Sequence, residues 1–219
     1  MTHTKEQIAA ALDLAVLKPT ATIGDVIAAA RLVAKEGIAT ICVAPCNVRL
    51  AKRYTDRVCA VIGFPHGNTT PEVKQYEARQ AIANGAIELD VVCNLGRFLD
   101  GKCDREWLGL GSLIYDAYAA RRVRVKAILE TGQLSPRQIA NLCKVCVRAG
   151  ADFVKTSTGF GPEGATVEAV KIMVEAIKGR AEVKASGGIK TYADAARYLD
   201  LGCTRIGASV YKELLPCEG

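Results

Sequence analysis

The sequence predicts an α/β fold, a single (β/α)8 barrel of the TIM type spanning residues 1–219. Three observations lead there. Short β-branched apolar runs alternate with longer Ala-rich, charged segments from one end of the chain to the other. Successive runs start roughly 20 to 36 residues apart, the length of a strand, a helix and two loops. Glycines cluster late, at Gly187, Gly188 and Gly207, where such barrels often bind phosphate after strands seven and eight. An open doubly wound sheet is the alternative. It should begin with a strand and Gly-x-Gly-x-x-Gly, and the chain has no such opening.

In order, the expected strands are 12–17, 38–43, 58–63, 87–92, 123–129, 152–156, 182–186 and 204–207. A helix over 22–36 opens after Pro19-Thr20-Ala21 and closes at Gly37. Thr70-Pro71-Glu72 reads as a cap, a first-turn proline and a first-turn acid, and that helix should end near Asn84-Gly85. Further helices are expected over 105–120, from Ser135-Pro136 to Gly150, over 162–177 and over 191–201. No linker or low-complexity tract interrupts the series, so one domain is expected.

Composition narrows the function. Half the residues are apolar and 24% are charged, which is enough for one packed core. Twenty-nine basic against 23 acidic residues leave a charge of +6, mild for this length and suited to an anionic small substrate. Aromatics total 5% and do not interleave with basic patches, so a nucleic-acid partner is not expected. No run of 18 uncharged apolar residues predicts a membrane span, and the first residues do not read as a secretory signal. The nine cysteines are odd in number, which does not suit a closed disulfide framework. Cys42, Cys59, Cys93, Cys143 and Cys146 lie in apolar runs and read as buried thiols in a reducing cytoplasm. With only two histidines, no metal site is expected.

The chemistry is carried by charges inside the strands. Parallel barrel strands bury their outer faces under helices, so a charged strand residue should face the barrel interior. Alternation then sends Ile87, Leu89 and Val91 outward and Glu88 and Asp90 inward. It sends Arg124, Lys126 and Glu130 inward, and pairs Lys155 with Phe153 and Lys184 with Glu182 and Ser186 on inner faces. Three lysines and an aspartate thus converge at the C-terminal ends of strands four to seven. A structural salt-bridge network is one use of them. The other is reactive: crowded ammonium groups depress one another's pKa, and a neutral lysine forms a Schiff base with a carbonyl. The iminium accepts the electron pair of a breaking carbon–carbon bond, and a carboxylate can shuttle protons. The pattern points to a metal-independent aldolase. Gly187-Gly188 after a strand, and Arg205 to Ser209 read as the start of a final helix, offer amides for a phosphate. Thr156 to Gly159 could close the pocket.

These segments resemble the deoxyribose-phosphate aldolases, class I aldolases with a (β/α)8 barrel. The likeness runs through LDLAVLKPTAT at 12–22, ICVAP at 41–45, VIGFPHGNTT at 61–70, ELDVVCNLG at 88–96, VKAILETG at 125–132, ADFVKTSTGF at 151–160, KASGGIKTYADA at 184–195 and RIGAS at 205–209. The resemblance implies reversible cleavage of 2-deoxy-D-ribose 5-phosphate to D-glyceraldehyde 3-phosphate and acetaldehyde, without a cofactor. It implies Lys155 as the Schiff-base lysine, Lys184 as the lysine that lowers the pKa of Lys155, and Asp90 as proton donor and acceptor through water. Asp13, Cys42 and Lys126 match supporting positions. Thr158, Ser186, Gly187, Gly188, Gly207 and Ser209 match the phosphate pocket, although the Ser186 hydroxyl could serve only its own turn. A homodimer is implied, with a homotetramer as the alternative, and the partner is a phosphorylated sugar.

The chain departs from the family pattern in places. Asp13 is followed by Leu14-Ala15, which removes polar atoms expected near the site mouth. Val210 stands where a second serine is frequent, and the nearest tyrosine to the C-terminal end is Tyr211. His66 reads as a loop residue and not a ligand. Three rival readings remain at this point: another class I aldolase, a noncatalytic phosphosugar binder, and a sugar-phosphate isomerase.

Overall fold

The computed structural model describes residues 3–101 and 123–216. Eight strands close into a parallel barrel in sequence order. They are β1 (Leu12–Val16), β2 (Thr40–Val43), β3 (Val58–Ile62), β4 (Glu88–Val92), β5 (Arg124–Ile128), β6 (Phe153–Lys155), β7 (Glu182–Ser186) and β8 (Arg205–Ala208). β8 closes on β1 through the register pair Asp13 and Gly207. A closed sheet has no free edge, and parallel strands need a crossover between each pair.

Helix α1 (Lys5–Ala11) precedes β1, and among the described residues the crossovers carry α2 (Ile23–Glu36), α3 (Val48–Ala51), α4 (Pro71–Ala83), α5 (Leu95–Leu99), α6 (Pro136–Ala149), α7 (Val167–Ile177) and α8 (Tyr192–Asp200). Their ends follow side-chain chemistry. The Thr22, Ser135 and Thr191 hydroxyls each accept the N–H of the third helical residue and their own backbone N–H donates to that residue's side chain, closing capping boxes. Gly37 and Gly150 end α2 and α6 in the left-handed conformation.

Three expectations need correction. The helix expected over 162–177 starts only at Val167, because Thr166 caps it and the preceding glycine-containing stretch stays irregular. Arg205 to Ala208 forms β8, matching the strand expected at 204–207, so the final helical turn does not start at Arg205 but comes later, at Lys212–Leu214. Helix α1 was not expected, although Thr4 and Gln7 form a capping box there. The expected 105–120 helix lies outside the described residues.

Two environments separate across the barrel wall. Outward residues such as Leu89, Val91, Val125, Ala127, Val154, Val183 and Ala185 join one continuous apolar shell with the helices. The inner face carries Asp13, Cys42, Cys59, Glu88, Asp90, Lys126, Lys155 and Lys184, all buried. Cys93, Cys143, Cys146 and Cys203 are buried thiols too, and burial pushes Cys143 and Cys203 up to about 12. No described cysteine is paired in a disulfide. No helix among the described residues is long and apolar enough to cross a membrane.

The turn after β7 is tied to the loop before α7. Gly187 has φ 90° and its carbonyl accepts the Ala165 N–H at 3.0 Å. A Cβ on Gly187 would lie 2.8 Å from Gly164 Cα. Gly187→Ala therefore meets both a left-handed backbone and a backbone clash, and should cost about 2 kcal/mol or more. A shifted urea midpoint at unchanged m-value would show it.

Candidate active site

The interior charges form one connected network. Asp90 Oδ2 accepts from Lys155 Nζ and from Lys184 Nζ, each at 2.7 Å, and Oδ1 accepts from Lys126 Nζ at 2.8 Å. Lys184 also bonds Asp13, and Lys126 reaches Glu88 at 2.6 Å. Arg205 bridges Asp13 at 2.5 Å and Glu88 at 3.0 Å. Thr40 donates its hydroxyl to Asp13 at 2.7 Å. Phe153 forms an aromatic floor, with the Arg205 and Lys126 cations 5.4 and 5.9 Å from its ring centre.

Strand register explains the convergence. Asp90 pairs with Lys126, and Lys155 pairs with Lys184. Register partners on neighbouring strands point to the same side, so these four side chains share the barrel interior. Gly207 supplies the room. A Cβ there would lie 3.1 Å from Lys184 Cε and 2.7 Å from Ser186 Cβ. The bare backbone at 207 lets Lys184 cross to Asp13 and Asp90.

The electrostatics correct the expectation that the crowded lysines simply depress one another. Burial pushes the Lys126 and Lys184 ammoniums toward neutrality, but Asp13 and Asp90 outweigh it, and both are held above the ordinary lysine value. Burial likewise pushes the Asp90 and Asp13 carboxyls up. The surrounding cations outweigh it and hold Asp90 well below the usual carboxylate range, with Asp13 also lowered. Opposite charges win over like charges because every ammonium here touches a carboxylate.

A cavity of ≈ 320 Å³ opens onto this network at the C-terminal mouth of the barrel. It brings together Asp13, Cys42, Lys155, Thr158, Lys184, Ser186, Gly187, Gly188, Gly207 and Ser209. Asp90 and Lys126 lie beneath them, fully buried. The exposed lysines Lys18 and Lys190 also line it, and neither was singled out from the sequence. Gly188 has φ 78° and open space where a Cβ would be, so its backbone can meet a ligand closely. Ser186 donates its hydroxyl to the Ser157 carbonyl at 2.5 Å, the local-turn role. The Thr158 hydroxyl is engaged by Glu130.

Sequence reasoning placed Glu88 inward without giving it a role, and it missed Arg205 and Cys59. Arg205 alternates with Gly207 on β8, which was the available signal. Cys59 Sγ lies 3.1 Å from Asp90 Oδ1 and 3.3 Å from Lys126 Nζ. Cys42, Cys59 and Asp90 group as potential metal ligands, as do Asp13, Cys59 and Glu88. Their carboxylates already hold lysine ammoniums, so a metal ion would have to displace a paired charge. Ala15 lines the cavity, whereas Leu14 packs into the apolar shell. Tyr211 is buried and donates to Glu36 on α2 at 3.2 Å, away from the site. His66 lines a separate, neighbouring cavity.

Residues 7–209 match the model of the DeoC/LacD family aldolases. The chain belongs to that family. This DeoC/LacD member is 42% identical over 202 residues to the deoxyribose-phosphate aldolase of Treponema denticola, covering 90% of this chain and 93% of the relative. It is 42% identical over 215 residues to deoxyribose-phosphate aldolase 1 of Cutibacterium acnes, covering 96% and 98%. Among solved structures, the tetrameric deoxyribose phosphate aldolase of Aeropyrum pernix superposes with a TM-score of 0.88 at 31% identity, covering 96% of this chain and 90% of that one. The aldolase QR15 gives a TM-score of 0.88 at 38% identity, covering 92% and 91%.

Two outcomes follow from this network. Asp90→Asn leaves three ammoniums facing a neutral amide, and should destabilise the fold by about 3–5 kcal/mol in urea titrations. Lowered carboxyls stabilise the fold above their unfolded values near pH 4 and lose that contribution as pH falls through their folded values. Raised ammoniums stabilise it below about pH 10.4 and lose that contribution as pH rises through their folded values. Urea midpoints should therefore plateau between about pH 5 and 9, with the cluster's contribution lost on both flanks.

Proposed function

We propose that the chain is a deoxyribose-phosphate aldolase, a Schiff-base enzyme that reversibly cleaves 2-deoxy-D-ribose 5-phosphate to D-glyceraldehyde 3-phosphate and acetaldehyde. The observation that carries this reading is Lys155. It lines the cavity at the end of β6 and shares one oxygen of Asp90 with Lys184. The name carried by its relatives across almost their whole length supports the same reading.

The charge balance supports Lys155 as the nucleophile. Asp13, Glu88 and Asp90 are matched one for one by Lys126, Lys184 and Arg205. Half-exposed Arg124 gives Glu88 a second cation, so Lys155 is surplus to the pairing and its proton can leave without stranding a buried carboxylate. Its amine attacks C1 of the open-chain sugar phosphate, and loss of water gives an iminium. A water held by Asp90 and Lys184 takes the C3 hydroxyl proton. The C2–C3 bond breaks, its electron pair moves into the iminium to form an enamine, and glyceraldehyde 3-phosphate leaves. Protonation at C2 and hydrolysis release acetaldehyde and regenerate Lys155.

The phosphate sits at Gly187, Gly188 and Ser209, where backbone amides approach it, with Gly207 and Thr158 lining the same cavity. Lys18 and Lys190 at the rim add attraction for the dianion. Cys42 and Lys126 pack and balance the site. The protein acts as one domain over residues 1–219 in the cytoplasm with its thiols reduced, as a homodimer or homotetramer; the Aeropyrum pernix relative is a tetramer. Its partner is the phosphorylated sugar, not a nucleic acid or a membrane.

Intact mass spectrometry after incubation with 2-deoxyribose 5-phosphate and borohydride should give one reduced adduct, mapping to Lys155. Lys155→Met should abolish it and lower kcat by roughly 10⁴-fold. A folded wild-type protein that traps neither the sugar nor acetaldehyde rules the reading out.

A further inference from the structure

We propose that Glu130 is a positioning residue, which fixes the Thr158–Phe160 segment as the wall of the substrate cavity and thereby sets the affinity for the sugar phosphate. The inference rests on the aldolase reading. Glu130 follows β5 in the left-handed conformation, φ 51° and ψ 60°, on a residue with a side chain. A turn alone would be met by glycine at lower cost. The side chain therefore has a use that glycine cannot supply.

That use is visible. The buried carboxylate accepts the Thr158 N–H at 3.2 Å and also the Thr158 hydroxyl proton. With its one proton given to Glu130, the hydroxyl accepts the Phe160 N–H at 3.1 Å. Gly161 folds over the carboxylate so closely that a Cβ there would lie 2.9 Å from Glu130 Oε1. The residues either side of Glu130 hold the strand that bears Lys155: Leu129 N–H donates to the Lys155 carbonyl and Thr131 N–H to the Thr156 carbonyl, each at 2.9 Å. The left-handed twist at 130 turns its side chain toward Thr158 while both neighbours keep those bonds.

The segment it holds is a partition. Thr158 and Phe160 line both the ≈ 320 Å³ substrate cavity and a second cavity of ≈ 470 Å³ on the β3–β5 side. The edge-to-face ring of Phe64, 5.3 Å from that of Phe160, braces the partition. Without the Glu130 clamp the wall is free to move and the two spaces merge. Binding of the long phosphorylated substrate then weakens, while the reaction of Lys155 with a small aldehyde does not depend on the wall.

The test compares wild type, E130A, E130Q, E130G, T158V and E130A/T158V by steady-state cleavage of 2-deoxyribose 5-phosphate and by borohydride trapping of acetaldehyde. E130A should raise KM about tenfold with kcat within about threefold, and should still trap acetaldehyde on Lys155. E130Q should recover most of the KM, because its amide oxygen accepts the Thr158 hydroxyl proton. E130G should unfold at a higher urea concentration than E130A, since glycine takes this backbone freely, yet show the same raised KM. The double variant should raise KM by less than the product of the two single effects, because both changes remove the bond between the Thr158 hydroxyl and Glu130. If E130A does not fold, E130Q, E130G and T158V carry the comparison. An active wild type whose E130A keeps its KM, loses only kcat, or multiplies its effect with T158V overturns this role. A wild type that neither cleaves the sugar nor traps acetaldehyde overturns the aldolase reading and this role with it.

Discussion

Asp90 is fully buried on the inner face of β4, and its two oxygens meet the ammonium groups of Lys126, Lys155 and Lys184. Taking so many charges out of water is costly, and a well-packed apolar interior would be at least as stable. The arrangement persists only if every carboxylate has a cation and every cation a carboxylate, at hydrogen-bond distance. A closed parallel barrel meets that demand because its strands aim inward residues at a common axis. Arg205 and Glu88 complete the pairing below, and Phe153 shields it.

The network has a direction. Its lower members, Glu88, Lys126 and Arg205, are enclosed, whereas Lys155 and Lys184 border the cavity at the mouth. The amine proposed to react is thus the member closest to the entering carbonyl and the one whose charge the other pairs do not require. Gly207 contributes by lacking a side chain where Lys184 must pass. The same economy recurs at the rim, where Gly164 and Gly187 touch backbone to backbone and bring the glycine turn against the wall of the cavity. A rigid shell of apolar contacts outside the barrel holds the inner charges in place.

The reactive pattern was largely legible from period-two alternation. Once strands four to seven were recognised, Glu88, Asp90, Lys126, Lys155 and Lys184 had to face one interior, because their neighbours were apolar and outward. The sign of the pKa effects was not legible. It depends on which charge lies within hydrogen-bond distance, and like and opposite charges are mixed in the same small volume. Thr158 shows the same limit at the mouth. Its position suggested a ligand contact, but its hydroxyl proton is given to Glu130, a carboxylate 28 residues away in sequence.

The sequence by itself determined the barrel, the order of its strands, and the inward placement of Glu88, Asp90, Lys126, Lys155 and Lys184. Each of these follows from local periodicity and from the rule that parallel strands bury their outer faces. Only the tertiary structure decided the partners: that three lysines share Asp90, that Arg205 ties Asp13 to Glu88, that Tyr211 turns to α2, and that Glu130 reaches Thr158. The physical reason is that pairing energies act over a few ångströms between groups far apart in the chain. Strand register and barrel closure set those distances, and no local pattern encodes them.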